Sequence, residues 1–489
     1  MESRINNDQE TLRSLCRAAG FTPVNITPVA AGGSSRRYYR IVDNDGLSIV
    51  GTCSGNIVET KAFIYLSRHL SDKGLPVPSI ISVNDAFSAY LQTDAGEKTL
   101  FDVLKPAIES NKWDGLPLQF LEKAVRSLSS VQFRCLEGLD QSQCLSPHRM
   151  DGRAILRDLN YFKYCFLKPL DIQVDEERLD CEFDMIVGWL EDKESTVPHG
   201  FIIRDCQSRN VMINPEGELT WIDYQGGRIG PVTYDLVSLL WQTRARIPDD
   251  LKQQLTDIYF AELQKFDANV KREDFDRSVR QMLLIRLLQV LGAYGLRGIT
   301  EGKTSFLSSI PESLRRLDML LGAAEFQSLK EISKAVKISQ QHPWCREPEV
   351  REKLIVDICS FSYKQGMPRY RSQHGGGFIF DCRAPHNPGR YDQYKKLTGL
   401  DPEVKEFLDR YGEMRSLVDH AEAMVGAAVQ RYLERGFDSL SVGFGCTGGR
   451  HRSVYGAEML AKRLNEKYGV EVRVNHTNLG ISYKLPSRE

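Results

Sequence analysis

Three side chains near the middle of the chain have the types and the spacing that phosphoryl transfer requires. Asp205 lies in F-I-I-R-D-C-Q-S-R-N-V-M-I (201–213), Asn210 follows five residues later, and Asp223 comes after the apolar pair Trp221-Ile222. Phosphoryl transfer needs a carboxylate that orients and deprotonates the attacking hydroxyl, and oxygen ligands that hold magnesium against a triphosphate. Asp205 fits the first role, while Asn210 and Asp223 are hard oxygen donors that suit Mg²⁺. The pattern therefore predicts use of ATP and Mg²⁺.

The segment after Asp223 strengthens this prediction. An Asp-x4-Asn spacing alone is common, but here a glycine-rich turn leads into an apolar helix in G-G-R-I-G-P-V-T-Y-D-L-V-S-L-L (226–240). A metal-binding carboxylate followed by such a turn is much rarer than either part alone. Asp235 opens this helix, the position of an N-terminal cap, and is predicted to be structural.

A second chemical signal lies near the C-terminus, in S-V-G-F-G-C-T-G-G-R-H-R-S (441–453). An apolar strand runs into a turn of small residues and then into a helix, so backbone N–H groups and the helix N-terminus favour an anion. Arg450, His451 and Arg452 add cationic side chains. The turn lacks Gly-Lys-Ser/Thr and is not a Walker A loop. Phosphatase chemistry at Cys446 is a disfavoured alternative, because Arg452 is interpreted as one residue too far for the Cys-x5-Arg loop of tyrosine phosphatases.

Length and composition limit the class of protein. A chain of 489 residues is too long for one ordinary core, and 41% hydrophobic with 26% charged residues is typical of soluble globular proteins. The polar N-terminus and the lack of a long apolar run predict a cytoplasmic protein without a membrane segment. Eleven cysteines without a CxxC pair argue against a zinc site or a disulfide framework. Residues 351–489 are modestly basic, with 22 Lys and Arg against 17 Asp and Glu.

These residues need elements that position them, and the periodicity of the chain indicates two domains. A helix over 9–20 precedes β-rich runs over 21–53, a helix over 58–70 and a further strand pair, after which 101–200 is mostly helical. This order predicts a β-rich lobe followed by a helical lobe.

Two prolines interrupt the helical pattern in Q-H-P-W-C-R-E-P (341–348), so we expect domains over 1–340 and 350–489. Beyond this point strand-like and helix-like segments alternate, which predicts a separate α/β domain. One long helix-like run, 401–436, and strands over 439–446 and 470–476 frame the second chemical signal.

Residues 20–330 resemble the aminoglycoside phosphotransferase and choline kinase superfamily, and specifically the bacterial anomeric kinases for N-acetylmuramate and N-acetylglucosamine. The likeness is carried by A-G-G-S-S-R-R-Y-Y-R-I (31–41), G-L-P-V-P (74–78), D-A-G-E-K-T-L (94–100) and the segments around Asp205 and Asp223. It implies an α+β protein-kinase-like bilobal domain, with a β-rich N-lobe and a helical C-lobe.

The resemblance also assigns roles to residues. It implies Asp205 as the catalytic base, Asn210 and Asp223 as magnesium ligands, and Asp235 as the residue that pins the catalytic loop. It implies a nucleotide site formed by Gly32, Gly33, Ser34, Ser35 and Arg40.

Two positions depart from the superfamily pattern. Ile203 replaces a histidine two residues before the catalytic aspartate, and the strand L-S-I-V-G-T-C (47–53) lacks the usual phosphate-pairing lysine. Substitutes for this lysine are Arg36, Arg37, Arg40 or Lys61.

Residues 352–480 resemble the C-terminal domain of RapZ, the bacterial RNase adaptor, through S-F-S-Y-K-Q-G, F-D-C-R-A-P-H-N-P and G-F-G-C-T-G-G-R-H-R-S-V. The resemblance implies binding of glucosamine-6-phosphate and of small RNAs. The implied sugar-phosphate residues are Cys446, Thr447, Gly448, Gly449, His451, Arg452 and Ser453, with Asp381, Arg383 and Asn387 nearby. The short tail I-S-Y-K-L-P-S-R-E carries little of the basic charge that an RNA adaptor needs.

The sequence thus favours a kinase that phosphorylates a sugar hydroxyl, the anomeric one of an N-acetylated amino sugar from cell-wall recycling, with a C-terminal domain that senses a hexosamine phosphate. One alternative is a pseudokinase regulator that binds amino-sugar phosphate and RNA. A kinase for an antibiotic or choline is another.

Overall fold

The computed structural model describes residues 2–29, 36–191, 195–347, 353–368 and 377–488. The chain divides into two compact units. The first comprises Met1–Ala293 and Glu312–Gln341, and the second comprises Tyr294–Pro311 and His342–Glu489. The segment Tyr294–Pro311 therefore groups with the second unit, although the sequence places it in the first domain.

The N-terminal part of the first unit is an antiparallel sheet of five strands in the order β1-β2-β3-β5-β4. The strands are β1 (Pro23–Val29), β2 (Arg37–Asp43), β3 (Ser48–Cys53), β4 (Ile80–Val83) and β5 (Ala89–Thr93), and the helices are α1 (Glu2–Ala18) and α2 (Ile57–Asp72). A buried cluster joins Leu12 and Cys16 of α1 to Ile41, Ile49 and Leu91 of the sheet. The predicted early helix and small antiparallel sheet are confirmed.

The rest of the first unit is mainly helical. Its helices are α3 (Leu100–Ser110), α4 (Gly115–Arg134), α5 (Gly152–Phe162), α6 (Glu176–Gly188), α7 (Thr233–Leu240), α8 (Asp249–Leu263), α9 (Arg272–Tyr294), α10 (Ile310–Leu321) and α11 (Lys330–Gln341). Five short strands lie among them: β6 (Lys98–Thr99), β7 (His199–Ile202), β8 (Val211–Ile213), β9 (Leu219–Trp221) and β10 (Arg228–Pro231). They form a three-stranded sheet in the order β6-β8-β9 and an antiparallel pair of β7 with β10. The loops between β7 and β10 carry the predicted catalytic residues.

One helix has the length and the apolar composition of a membrane span. It covers Arg272–Thr300, and 61% of its most apolar window is buried inside the protein. A buried core helix of a soluble protein passes the same test, and this burial fits that role.

The second unit contains a mixed sheet in the order β12-β13-β11-β14-β15, in which β15 is antiparallel to β14 and the other pairs are parallel. The strands are β11 (Ile355–Ser362), β12 (Gly377–Asp381), β13 (Ser439–Cys446), β14 (Glu471–His476) and β15 (Ile481–Leu485), and the helices are α12 (Pro402–Tyr411), α13 (Glu413–Glu434) and α14 (Arg452–Tyr468). Helix residues such as Val425 and Leu460 pack on Val356 and Val442 of the sheet. The predicted α/β domain is confirmed.

Two details of this unit differ from the sequence expectation. The long helix-like run is two helices, because Gly412 adopts φ +71° between α12 and α13. The stretch that the sequence shows only as a short tail includes the edge strand β15 (Ile481–Leu485), which pairs with β14.

Candidate functional site

The structure brings Asp205, Asn210 and Asp223 together at the ends of β7 and β9. The Nδ2 of Asn210 donates to the backbone oxygen of Asp205 over 2.8 Å and lies 3.3 Å from Oδ2 of Asp223. The Ile222 N–H also donates to the Asn210 carbonyl over 3.0 Å, so the two loops are joined by backbone as well as side chains. Asp205 itself is exposed to solvent, where an acceptor hydroxyl can reach it.

The Asp223 carboxylate lies in a more enclosed environment than Asp205. Burial raises the pKa of Asp223, and the negative charge of Asp205 acts in the same direction. Gln225 donates to Asp223 Oδ1 over 2.9 Å and opposes this shift. Asp223 also adopts the left-handed conformation, with φ +63°, which is uncommon outside glycine. The backbone strain thus lies at Asp223, the residue whose carboxylate faces the site.

The donor set fits a magnesium ion that is shared with a nucleotide. Among the described residues no group of three or more His, Cys, Asp or Glu side chains could hold a metal. Mg²⁺ at phosphate-transfer sites is bound through one or two carboxylates together with substrate phosphates and water. The oxygens of Asn210 and Asp223 are of the type that such a site would use.

Asp235 fixes the loop that carries Asp205. Its carboxylate is fully buried and accepts the N–H groups of Ile203 over 2.6 Å and of Arg204 over 2.9 Å. The Gln132 amide is a third donor at 3.4 Å. The prediction that Asp235 pins the loop of Asp205 is therefore confirmed. An N-terminal cap would accept N–H groups of the first turn of α7, whereas this carboxylate accepts N–H groups of the loop.

Of the four cations that the sequence offers in place of the missing lysine, Arg36 lies next to the site. It is 3% exposed, donates to Glu59 of α2 over 2.6 Å, and its charge acts on the Asp223 carboxyl. Its guanidinium carbon lies 5.4 Å from the centre of the Phe63 ring. Phe63 stacks on Tyr224 at 5.2 Å, so Arg36, α2 and the loop after β9 are linked by packing.

The other three cations have different neighbours. Arg37 pairs with Asp8, and Lys61 lies over the ring of Phe87 at 4.9 Å. Arg40, predicted to bind nucleotide, pairs with Asp94 over 2.7 Å, with Glu97, and with the Gly96 carbonyl over 3.0 Å. The structure therefore places the Arg40 guanidinium in a carboxylate cluster. The predicted phosphate turn of Gly32, Gly33, Ser34 and Ser35 lies outside the described residues.

In the second unit, the predicted anion turn follows β13 and leads into α14. The thiol of Cys446 is 3% exposed, accepts the Gly449 N–H over 3.2 Å, and lies 3.1 Å from the Ser453 hydroxyl. Burial alone would raise the pKa of Cys446, but the hydrogen bonds from Ser453, Gly449 and Gly448 outweigh it and lower the pKa. The turn therefore stabilises negative charge at its centre.

Arg452 connects this turn to the segment after β12. It is 4% exposed, and its Nη1 donates to the carbonyl oxygens of Arg383 over 2.7 Å and Pro385 over 2.6 Å. The buried Nε has no hydrogen-bond partner among the described residues. One side of the guanidinium thus holds the neighbouring loop.

The remaining residues predicted for this site have local roles as well. His451 Nε2 lies 3.0 Å from the Tyr394 carbonyl, Arg383 pairs with Asp381 over 2.6 Å, and Asn387 accepts the Gly389 N–H over 3.1 Å. Thr447 and Gly448 are exposed at the rim of the turn.

The spacing at this turn also corrects one sequence interpretation. Five residues, 447–451, separate Cys446 from Arg452, so the Cys-x5-Arg spacing of cysteine phosphatases is met. The spacing therefore gives no ground for disfavouring a nucleophilic cysteine. The burial of Cys446 and the carbonyl contacts of Arg452 fit an anion-binding turn.

The sequence analysis did not identify Glu59 and Ser67, whose importance is visible only from their side-chain contacts in the structure. Glu59 is one acidic residue in the first turn of an ordinary helix, and its pairing with Arg36 spans 23 residues. Ser67, whose hydroxyl lies 2.6 Å from the Tyr224 hydroxyl, anchors the same helix to the loop after β9. The sequence signal that could have pointed to Glu59 is its position as a carboxylate in the first turn of the helix after β3.

Comparison with known proteins matches both parts of the chain. Residues 25–268 match the phosphotransferase enzyme family, and residues 354–480 match the RapZ C-terminal domain. A nucleotide-binding protein of Rhodospirillum rubrum is 36% identical over 129 residues, covering 26% of this chain and 39% of its own length. One from Fervidobacterium nodosum is 32% identical over 169 residues, covering 32% and 58%. The chain thus spans about two fifths to three fifths of these curated relatives.

Solved structures give a more distant likeness. A choline/ethanolamine kinase family protein from Mesorhizobium loti is 16% identical, covers 68% of this chain and 99% of its own, and superposes with a TM-score of 0.45.

Proposed function

We propose that this chain, which joins a domain of the phosphotransferase enzyme family to a RapZ C-terminal domain, is a cytoplasmic ATP-dependent kinase that phosphorylates a sugar hydroxyl. The favoured acceptor hydroxyl is the anomeric one of N-acetylmuramate or N-acetylglucosamine. The observation that carries the proposal is the junction of Asp205, Asn210 and Asp223, in which one amide bridges both loops.

The roles of the three residues follow from their exposure and chemistry. The exposed Asp205 orients the acceptor hydroxyl and takes its proton, which raises the nucleophilicity of the oxygen. Asn210 and Asp223 would hold a magnesium ion through their oxygens, and this ion would neutralise the charge of the triphosphate. The N–H contacts of Asp235 keep the Asp205 loop in place during the reaction.

Arg36 takes the place of the missing lysine in this proposal. Support comes from the pairing of this buried cation with Glu59 and from the effect of its charge on the carboxyl of Asp223, the proposed metal ligand. A guanidinium binds phosphate through two parallel hydrogen bonds, so it can orient the nucleotide phosphates.

The second unit provides a site for a hexosamine phosphate at Cys446–Ser453. Support comes from the stabilised negative charge at Cys446 and from the buried Arg452 Nε. The modestly basic composition of residues 351–489 favours a second candidate function, a regulator that binds RNA. The presence of a carboxylate base, Asp205, and of two oxygen donors for a metal, Asn210 and Asp223, favours the kinase.

Product analysis tests the kinase proposal. Purified full-length protein with MgATP is expected to convert N-acetylmuramate or N-acetylglucosamine to a 1-phosphate, seen as an anomeric phosphate by phosphorus NMR. Asp205→Asn is the matched negative control. A 6-phosphate product would reject the anomeric assignment, and no product across sugars, choline and aminoglycosides would reject the kinase.

Calorimetry on the full chain tests the second site. Glucosamine-6-phosphate is expected to bind and neutral glucosamine to bind far more weakly, while Arg452→Ala reduces affinity for the phosphate roughly tenfold or more because a charge-assisted contact is lost. Equal affinity for both sugars, or heat with RNA alone, would favour the regulator instead.

A further inference from the structure

Arg228 is a buried cation beside the catalytic loop. It opens β10, pairs in register with Ile202 of β7, and is 7% exposed. Its Nε and Nη2 both donate to the Gly226 carbonyl over 3.3 Å, and no carboxylate of the described residues lies within ion-pair distance of it. A buried cation that no carboxylate approaches to ion-pair distance is only partly balanced, so an anion that binds beside it is favoured.

Arg204 supplies a second cation at the same place. It directly precedes Asp205 and adopts φ +73°, a conformation that costs energy for a residue with a side chain. Asp235 holds its N–H, and its Nη2 lies 3.5 Å from Oδ1 of Asp158. At 34% exposure the Arg204 side chain also remains accessible to solvent.

The carboxylate of Asp158 is shared by several arginines. Arg204, Arg228, Arg286 and Arg157 all act on it, although burial still raises its pKa. Arg286 reaches this region from α9, where it lies 3.4 Å from the Tyr234 hydroxyl. Asp158 is thus the carboxylate that Arg204 and Arg228 share, within ion-pair distance of Arg204 and farther from Arg228.

We infer that Arg204 and Arg228 form a subsite for an anionic group of the acceptor, a carboxylate or a phosphate, next to the hydroxyl that Asp205 activates. This inference rests on the proposed kinase function and specifies its substrate class. A guanidinium matches the two oxygens of a carboxylate or phosphate in geometry as well as charge. The same charge opposes cationic acceptors such as choline or an aminoglycoside.

A matched set of acceptors tests the inference. N-acetylmuramate carries a carboxylate on the same ring as neutral N-acetylglucosamine, and N-acetylglucosamine-6-phosphate carries a phosphate. We expect kcat/KM for one of the two anionic sugars to exceed that for the neutral sugar at least tenfold. The anionic sugar with the higher kcat/KM then shows whether the subsite binds a carboxylate or a phosphate. Equal kcat/KM for neutral and anionic sugars would overturn the subsite and leave the kinase intact. No turnover of any sugar would reject the kinase itself.

Variants assign the effect to the arginines. Arg228→Gln is expected to raise KM for the anionic acceptor about tenfold to a hundredfold, because a charge-assisted contact is lost. KM for ATP and turnover of the neutral sugar should stay close to wild type, and Arg228→Lys should recover part of the loss. The control is Arg280→Gln, which removes an arginine on the same helix as Arg286 that pairs with Glu325 over 2.6 Å.

Two outcomes would contradict this assignment. If Arg228→Gln impairs the neutral and the anionic sugar equally, or raises KM for ATP, the arginine serves the transferred phosphoryl group and not the acceptor. If Arg228→Gln does not fold, as judged by its melting curve, the same comparison is made with Arg204→Gln, whose side chain is only partly buried.

Discussion

Arg36 and Glu59 form an ion pair of 2.6 Å in which the arginine side chain is only 2% exposed and the glutamate side chain 24% exposed. The Asn56 amide donates to the other oxygen of Glu59 over 3.1 Å and fixes the carboxylate at the start of α2. Because Arg36 also contacts Phe63 and its charge acts on the Asp223 carboxyl, we expect the position of α2 to be coupled to the proposed metal site. The pair thus links the β-sheet lobe to the loop that follows β9.

Removing the charge of Glu59 tests this link. Glu59→Gln is expected to raise KM for ATP roughly tenfold, because Arg36 loses the charge that holds it in place, while KM for the sugar stays unchanged. Steady-state kinetics with each substrate varied separately makes the measurement. Glu97→Gln is the matched control, since it removes a 79% exposed partner of Arg40. An equal effect of both variants would argue against a specific role for Glu59.

Substitutions of Asp205 and of Asp223 should impair different steps of the reaction. Asp205→Asn is expected to lower kcat by about 10² to 10⁴ with MgATP affinity retained, because a positioned base is lost. Asp223→Ala should abolish the magnesium dependence of ATP binding, measured by calorimetry with and without Mg²⁺. Asp114→Asn, an exposed carboxylate in the same unit, should change neither quantity. Near wild-type turnover of Asp205→Asn would remove this residue from the mechanism.

The raised pKa of the Asp235 carboxyl predicts that the stability of the folded protein depends on pH. Burial raises its pKa to about 7, whereas an unfolded aspartate titrates near 4. Between about pH 4 and pH 7 the folded chain therefore binds a proton that the unfolded chain releases, so this group lowers stability as pH rises through that window. Melting temperatures from pH 4 to pH 8 should show a flatter dependence for Asp235→Asn than for wild type. Identical slopes would contradict the raised pKa.

Two adjacent glycines offer a matched pair at the second site. Gly449 has φ +65°, and a Cβ there would lie 2.2 Å from Asn478 Oδ1 and 3.0 Å from the Ser362 nitrogen. Gly448 has nothing within 4 Å of an added Cβ. Gly449→Ala should therefore abolish glucosamine-6-phosphate binding and destabilise the turn, because the left-handed conformation and the contact both oppose a side chain. Gly448→Ala keeps its N–H and should bind normally in calorimetry, and equal loss in both variants would refute this geometry.

The sequence by itself determined the elements and the chemistry that local patterns encode. Apolar periodicity was enough for α1, α2 and the antiparallel sheet, because the buried face of an element repeats along the chain. Asp205, Asn210 and Asp223 could be found because catalytic loops combine fixed spacing with specific residue types. The same reasoning could not find the break at Gly412, since a positive φ at a single glycine leaves no periodic signal.

Tertiary structure alone decided which side chains meet across long stretches of sequence. Four cations were candidates near the nucleotide site, with Arg40 assigned to it, and only the fold shows that Arg36 acts on Asp223 while Arg40 is held by Asp94. Likewise, Arg228 looks like an ordinary polar residue of a turn until β10 is paired with β7. The physical reason is that charge pairing and burial depend on distance in space, and residues remote in sequence set both.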